Sequence, residues 1–87
     1  KPRFTHTTRK TIQSKTVQHV DNLNEGPLRN MMTAPILASD GSILGAIQML
    51  NKKESAGGKG FDRNDAKVLS VLCAHIASFV EIMQSYN

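Results

Sequence analysis

The side chains best able to do nucleophilic or metal chemistry here are one cysteine, Cys73, and three histidines, His6, His19 and His75. The histidines have no metal-ligand spacing with one another or with carboxylates. Cys73 and His75 lie two residues apart, which turns them to different sides of a helix and makes a poor thiolate–imidazole pair. The glycines of Gly57-Gly58-Lys59-Gly60 have neither the spacing nor the preceding strand of a phosphate loop or dinucleotide fingerprint. No set of residues supplies a nucleophile, a base and oxyanion donors together. The sequence therefore predicts no catalytic residue, no metal site and no cofactor. The polar pair that does invite attention is Thr33 and Gln48, set within two apolar runs.

Those runs span residues 31–52, MMTAPILASDGSILGAIQMLNK. Asp40-Gly41 between apolar stretches is a hairpin signal, because a two-residue primed turn needs positive φ. With that turn, Ser39 faces Ser42, Ala38 faces Ile43, Ile36 faces Gly45, Ala34 faces Ile47 and Met32 faces Met49. This face is apolar apart from the serines. The other face sets Met31, Thr33, Pro35 and Leu37 against Leu50, Gln48, Ala46 and Leu44. It is apolar except at Thr33 and Gln48, so both faces are expected to be covered, and the two polar groups become candidate ligand contacts. Pro35 lacks a donor, which predicts an edge strand or a bulge there. The methionines Met31, Met32, Met49 and Met83 read as gap-filling core.

Eighty-seven residues make one domain at most. A chain this short buries only about 60–65% of its unfolded surface. No run approaches the roughly 20 apolar residues of a membrane span. The chain starts at Lys1, with no initiator Met and no visible signal peptide, as part of a longer protein would. A single cysteine fits a reducing, cytoplasmic setting. The net charge of +4 is concentrated early, with Lys1, Arg3, Arg9, Lys10 and Lys15 preceding the first acid, Asp21. Phe4 is the only aromatic there, so the stretch reads as a solvated linker, and nucleic acid is not the expected partner.

The spacing of Ile12, Thr16, Val17, Val20 and Leu23 predicts a short helix over residues 11–19. Residues 22–27, NLNEGP, and residues 53–60, KESAGGKG, read as loops. Residues 61–86 predict a long helix, with Asp62 as N-cap and Asp65 completing a relative of the capping box. Its stripe of Leu69, Leu72, Ile76, Phe79 and Met83 steps by three and four. Val68, Val71, Ala74, Val80 and Ile82 extend the apolar surface beyond the stripe. A helix apolar around most of its girth needs two partners. The hairpin is one, with Gly45 expected to allow close approach. A second copy of the chain, through that stripe, is the other.

Residues 32–83 resemble the C-terminal half of a GAF domain. The resemblance rests on Pro35-Ile36, Asp40-Gly41, Leu44-Gly45-Ala46-Ile47-Gln48-Met49-Leu50-Asn51-Lys52, then Phe61 and Asp65, with Pro2-Arg3-Phe4 upstream. It is nearest to GAF domains of cyclic-nucleotide phosphodiesterases and cyclases, whose Asn-Lys…Phe…Asp-Glu signature is incomplete here because Ala66 stands at the Glu position. Residues 1–28 match poorly, and the first strands of the family are missing. The resemblance implies a partial α+β fold: an antiparallel sheet backed by a long C-terminal helix. It implies a single regulatory module over residues 1–87, binding a small ligand and dimerising within a signalling protein, with a cyclic nucleotide as first candidate. Asn51, Lys52, Phe61 and Asp65 join Thr33 and Gln48 as implied ligand contacts, with Lys52 bridging to Asp65. The alternatives are an interaction module without a ligand, and a basic nucleic-acid or membrane adaptor.

Overall fold

A computed structural model describes residues 3–23, 25–51 and 60–86. Helix α1, Arg3–Ser14, is followed by strands β1, Gln18–Val20, β2, Met31–Leu37, and β3, Ile43–Leu50, and then by helix α2, Arg63–Gln84. The strands form one antiparallel sheet in the order β1-β2-β3. Residues 53–59 of the expected loop and Lys52 lie outside the described residues.

The hairpin pairing follows from the alternation. Met31 pairs with Leu50, Met32 with Met49, Thr33 with Gln48, Ala34 with Ile47, Pro35 with Ala46 and Ile36 with Gly45. The expectation fails at the loop end. A register shift after Ile36 sets Leu37, not Ala38, against Ile43. Within the loop only Gly41 has positive φ, at 89°. Gly41 N donates to Ala38 O at 2.9 Å and Ala38 N to Ser42 O at 2.8 Å. Ser39 and Asp40 are thus the central residues of an ordinary turn, and Gly41 is the left-handed residue that follows it. Asp40 Oδ1 accepts from Ser42 N and Oγ at 2.9 and 2.7 Å. Those bonds hold its carboxyl below the usual carboxylate range.

β2 is the central strand, yet β1 pairs only with Met31 to Thr33. Beyond Thr33 that side of β2 has no strand neighbour among the described residues, so Pro35 is tolerated without an N–H.

The N-terminal stretch corrects two expectations. Arg9, Lys10 and Lys15 belong to a helix or its end, not to a linker, and the predicted helix over residues 11–19 instead ends at Ser14. Thr7 and Thr11 are buried. Thr11 Oγ1 donates to Thr7 O at 3.1 Å, one turn back. The bond satisfies a buried hydroxyl within its own helix, at a slight cost to the helix itself. Lys15, at φ 59°, ends α1. Ser14, Thr16 and Gln18 then bond to one another through their side chains, with Ser14 Oγ 2.7 Å from Thr16 Oγ1 and Gln18 Nε2 donating to Thr16 Oγ1 at 2.9 Å. Val17 turns onto the core and Val20 enters β1, so the apparent apolar stripe divides between two elements.

α2 covers the expected apolar face of the sheet. Met32, Ala34, Phe61, Leu69 and Cys73 form the core cluster, with Ile36, Ile47 and Ala66 packed against it. The helix begins at the expected capping box. Asp65 N donates to Asp62 Oδ1 at 3.0 Å and Asp62 N to Asp65 Oδ2 at 2.8 Å. Glu81 ties the far end to the hairpin, accepting from Ser39 N at 3.1 Å and Ser39 Oγ at 2.8 Å. Gly45 does not serve close approach of the helix. Among the described residues, and apart from its chain neighbours, a Cβ there would meet within 4 Å only Ile36 Cδ1, at 3.8 Å. By length and composition alone, α2 is long and apolar enough to cross a membrane. Ser70, His75 and Ser78 break its apolar run without making it polar. Its Leu69, Cys73 and Ala77 side is buried.

The stripe expected at the dimer contact divides. Leu69 is fully buried in the core and Ile76 is half-buried, whereas Leu72, Phe79 and Met83 are exposed. One residue along a helix turns the viewpoint by about 100°, so a seam set one position off faces the sheet in part.

Candidate functional site

α1 lies against the second face of the sheet and leaves a groove at the β3 side. Thr5, Thr8, Arg9, Ile12 and Gln13 come from α1 and Gln48 from β3, around a concavity of about 550 Å³. The helical residues follow the spacing i, i+3, i+4, i+7, i+8, which places them on one side of α1. Gln48 Nε2 donates to Thr8 Oγ1 at 2.6 Å, joining helix to strand across the groove floor. Ile12 supplies an apolar wall. Among the described residues Arg9 makes no ion pair. The groove thus offers one guanidinium, hydroxyls, two amides and an aliphatic surface. That set suits a small ligand carrying a negative charge and hydrogen-bonding edges.

The residues expected at the ligand do not converge. Gln48 lines the groove. Thr33, its cross-strand partner, is fully buried, and Thr11 Oγ1 reaches its carbonyl at 3.5 Å. Among the described residues, Thr33 Oγ1 has no hydrogen-bond partner. Asn51 is occupied elsewhere. Its Oδ1 accepts from Arg29 N at 2.7 Å, its Nδ2 donates to Pro27 O at 2.9 Å, and its backbone N donates to Asn30 O at 2.9 Å. It thereby pins the loop before β2 to the end of β3, at a φ of 57° that asparagine tolerates. Phe61 is core. Asp65 closes the capping box. Lys52 and its bridge to Asp65 lie outside the described residues. The residues lining this groove that sequence reasoning did not name are those of α1. Their signal was the one-sided set Thr5, Thr8, Arg9, Ile12, hidden by a helix placed several residues late.

A second concavity of about 410 Å³ runs along the side of β2 that the short β1 leaves open, lined by Lys15, Thr16, Val17, Pro35, Leu37, Ser70, Cys73 and Ala74. Cys73 is buried, its Sγ 3.9 Å from Ala34 O. Burial pushes the thiol's pKa up, away from a reactive thiolate. His75 is exposed, with Nδ1 2.9 Å from Val71 O on its own helix. The two face apart, as their spacing requires. Among the described residues no three or more His, Cys, Asp or Glu side chains gather as metal ligands would.

Comparison with protein families matches residues 2–80 to the GAF domain. A comparison with curated proteins gives no match. The matched span takes in α1, whose residues the sequence reading matched poorly and took mostly for a linker, as well as the sheet and most of α2. GAF domains are non-catalytic regulatory modules that generally bind small ligands, and they often occur within enzymes. With nearly all of its length matched, this chain belongs to the GAF domain family.

Proposed function

We propose that this GAF domain is a sensory module that takes a small anionic ligand in the groove between α1 and β3, within a larger cytoplasmic signalling protein. The observation that carries the reading is Arg9, a guanidinium without an ion pair among the described residues, on the same helix side as Thr5, Thr8 and Gln13 and across from Gln48. A cyclic nucleotide is the first candidate. Its phosphate bears one negative charge for Arg9, and its base offers edges for amides and hydroxyls. The Asn51…Phe61…Asp65 pattern supports a likeness to the phosphodiesterase and cyclase members, while Ala66 departs from it. The groove is open, so a bound nucleotide keeps much of its surface in water, whereas tight sites bury about 70–90% of a ligand.

Isothermal titration of the 87-residue chain with cyclic AMP and cyclic GMP tests this. The expected dissociation constant is weaker than micromolar. Arg9→Ala weakens binding by roughly tenfold, the scale of one charge-assisted hydrogen bond. Equal binding by the unmutated and Arg9→Ala chains, or binding at micromolar or tighter, overturns the open-groove reading. A second reading, an interaction module, is favoured by the apolar outer side of α2.

A further inference from the structure

The edge of β2 that the short β1 leaves open belongs to no part of the groove. There the concavity of about 410 Å³ forms a slot between that edge and the residues leading into β1. Lys15 and Val17 line one side, Pro35 and Leu37 the β2 edge, and Cys73 and Ala74 reach it from α2. Successive residues of an antiparallel strand turn their N–H and C=O groups to alternate sides. Asn30 O accepts from Asn51 N on the β3 side at 2.9 Å, and Arg29 O accepts from Leu23 N on the β1 side at 2.6 Å. The odd-numbered residues of β2 therefore turn toward β1. β1 takes up Met31 and Thr33. Ala38 N still donates to Ser42 O within the hairpin, so the register shift leaves Leu37 turned outward. The carbonyls of Pro35 and Leu37 and the N–H of Leu37 thus border the slot, with no strand across from them among the described residues.

We infer that this slot takes an extended, acidic peptide segment of a partner protein as a further strand on β2. One N–H and two carbonyls at strand spacing are the complement of a peptide backbone, and an added strand gains its main-chain bonds at such an edge. Residues 35–37 offer about 7 Å of edge at about 3.4 Å per residue. Val17, Leu37, Cys73 and Ala74 make the walls apolar, which suits aliphatic side chains on the incoming strand. Lys15 is the one charged residue that lines the slot, and among the described residues it makes no ion pair. It selects a carboxylate on the partner.

Other occupants fit less well. A second copy brings another net charge of +4 to a slot whose charged group is already a cation. Lipid has no partners for backbone donors and acceptors. A simple carboxylate answers Lys15 and the Leu37 N–H but leaves both carbonyls unpaired. Pro35 withholds a second donor from the edge, so few bonds hold the strand and the association is weak and reversible. The slot lies on the β1 side of β2 and the groove on the β3 side, so the inference stands apart from the ligand reading.

Amide chemical shifts of the 87-residue chain, titrated to millimolar concentration with the peptide acetyl-Thr-Val-Glu-Val-Thr-amide, read the outcome. The Leu37 amide moves downfield, as a newly bonded N–H does, while the amides of Thr8 and Gln48 at the groove stay in place. The same peptide with Lys for Glu binds roughly fivefold more weakly, the scale of exchanging an exposed attraction for a repulsion. Lys15→Glu reverses that preference, and Lys15→Gln abolishes it if the charge-reversed chain does not fold. Methylating alternate peptide nitrogens separates strand addition from other binding: one set abolishes the Leu37 shift and the other leaves it. Pro35→Ala restores the edge donor and tightens binding by roughly threefold to tenfold, the scale of one net hydrogen bond. An unmoved Leu37 amide, equal binding of the Glu and Lys peptides, methylation effects without alternation, or no gain in Pro35→Ala each overturns the inference. So does a Leu37 shift that grows with protein concentration alone, which would put a second copy on the edge, or the same shift produced by hexanoate. No cyclic nucleotide enters this titration, so the two readings fail separately.

Discussion

Asn51 and Thr33 show how little a residue's type reveals about its use. Both are polar, and both sit where a ligand contact is a reasonable expectation. Asn51 spends both ends of its amide on Arg29 N and Pro27 O. Asn51→Ala removes both bonds and leaves a β-carbon at positive φ, so a loss of about 1–3 kcal/mol in urea unfolding is expected. Asn51→Gly loses the bonds but relaxes the backbone, so its cost falls between those of alanine and the unmutated chain. Equal stability of all three would mean that the clamp does not hold the loop. Thr33 presents the opposite case, a buried hydroxyl with no partner among the described residues. Burying an unpaired hydroxyl costs about 1–3 kcal/mol. Thr33→Val keeps the shape and removes the cost, so a neutral to roughly 1 kcal/mol stabilising change is expected. A loss above 1 kcal/mol would show that the hydroxyl has a partner.

At the scale of elements, legibility tracked the physical cause of each element. The hairpin's pairing was readable because side chains alternate strictly along a strand and one face is wholly apolar. The start of α2 was readable because Asp62 and Asp65 satisfy each other's backbone donors. The loop type was not, because Asp-Gly serves both a primed turn and an ordinary turn followed by a left-handed glycine. The register shift at Leu37 decides between them only in three dimensions. α1 was illegible for a related reason. Its inward positions are threonines, and a hydroxyl bonded one turn back leaves no hydrophobic signal. The groove went unread with it, since five of its six lining residues are on that helix. Gly41, at φ 89°, gives the loop its test. A β-branched side chain tolerates that conformation badly, so Gly41→Val is expected to cost more than about 1 kcal/mol. Apart from its chain neighbours, no atom among the described residues lies within 4 Å of a Cβ added there, so the loss is expected to come from the backbone. An unchanged melting temperature would exclude this turn.

At the scale of the whole molecule, the sheet separates two unlike halves. On one side, α2 joins the core through Leu69, Cys73 and Ala77 and is tied at its ends by the capping box and by Glu81 on Ser39. On the other, residues 5–14 of α1 bury only Thr7 and Thr11, and Ile12 is 42% exposed. Threonine buries about one methyl of apolar surface, well short of the 1.5–3 kcal/mol from a buried leucine or phenylalanine. Local opening takes the path of least buried apolar area, so α1 should detach from the sheet while β2, β3 and α2 stay together. Native-state amide exchange makes the difference visible. The amides of residues 9–14 are expected to exchange at least a hundredfold faster than those of Met32, Ala34 and Cys73, which open only with the core. A ligand bridging Arg9 and Gln48 holds α1 to β3, so saturating nucleotide should slow exchange in α1 and leave the core amides unchanged. Protection in α1 equal to that of β2 without ligand would mean that the threonine-faced helix is locked to the sheet, and that the groove cannot owe its openness to a loosely held wall.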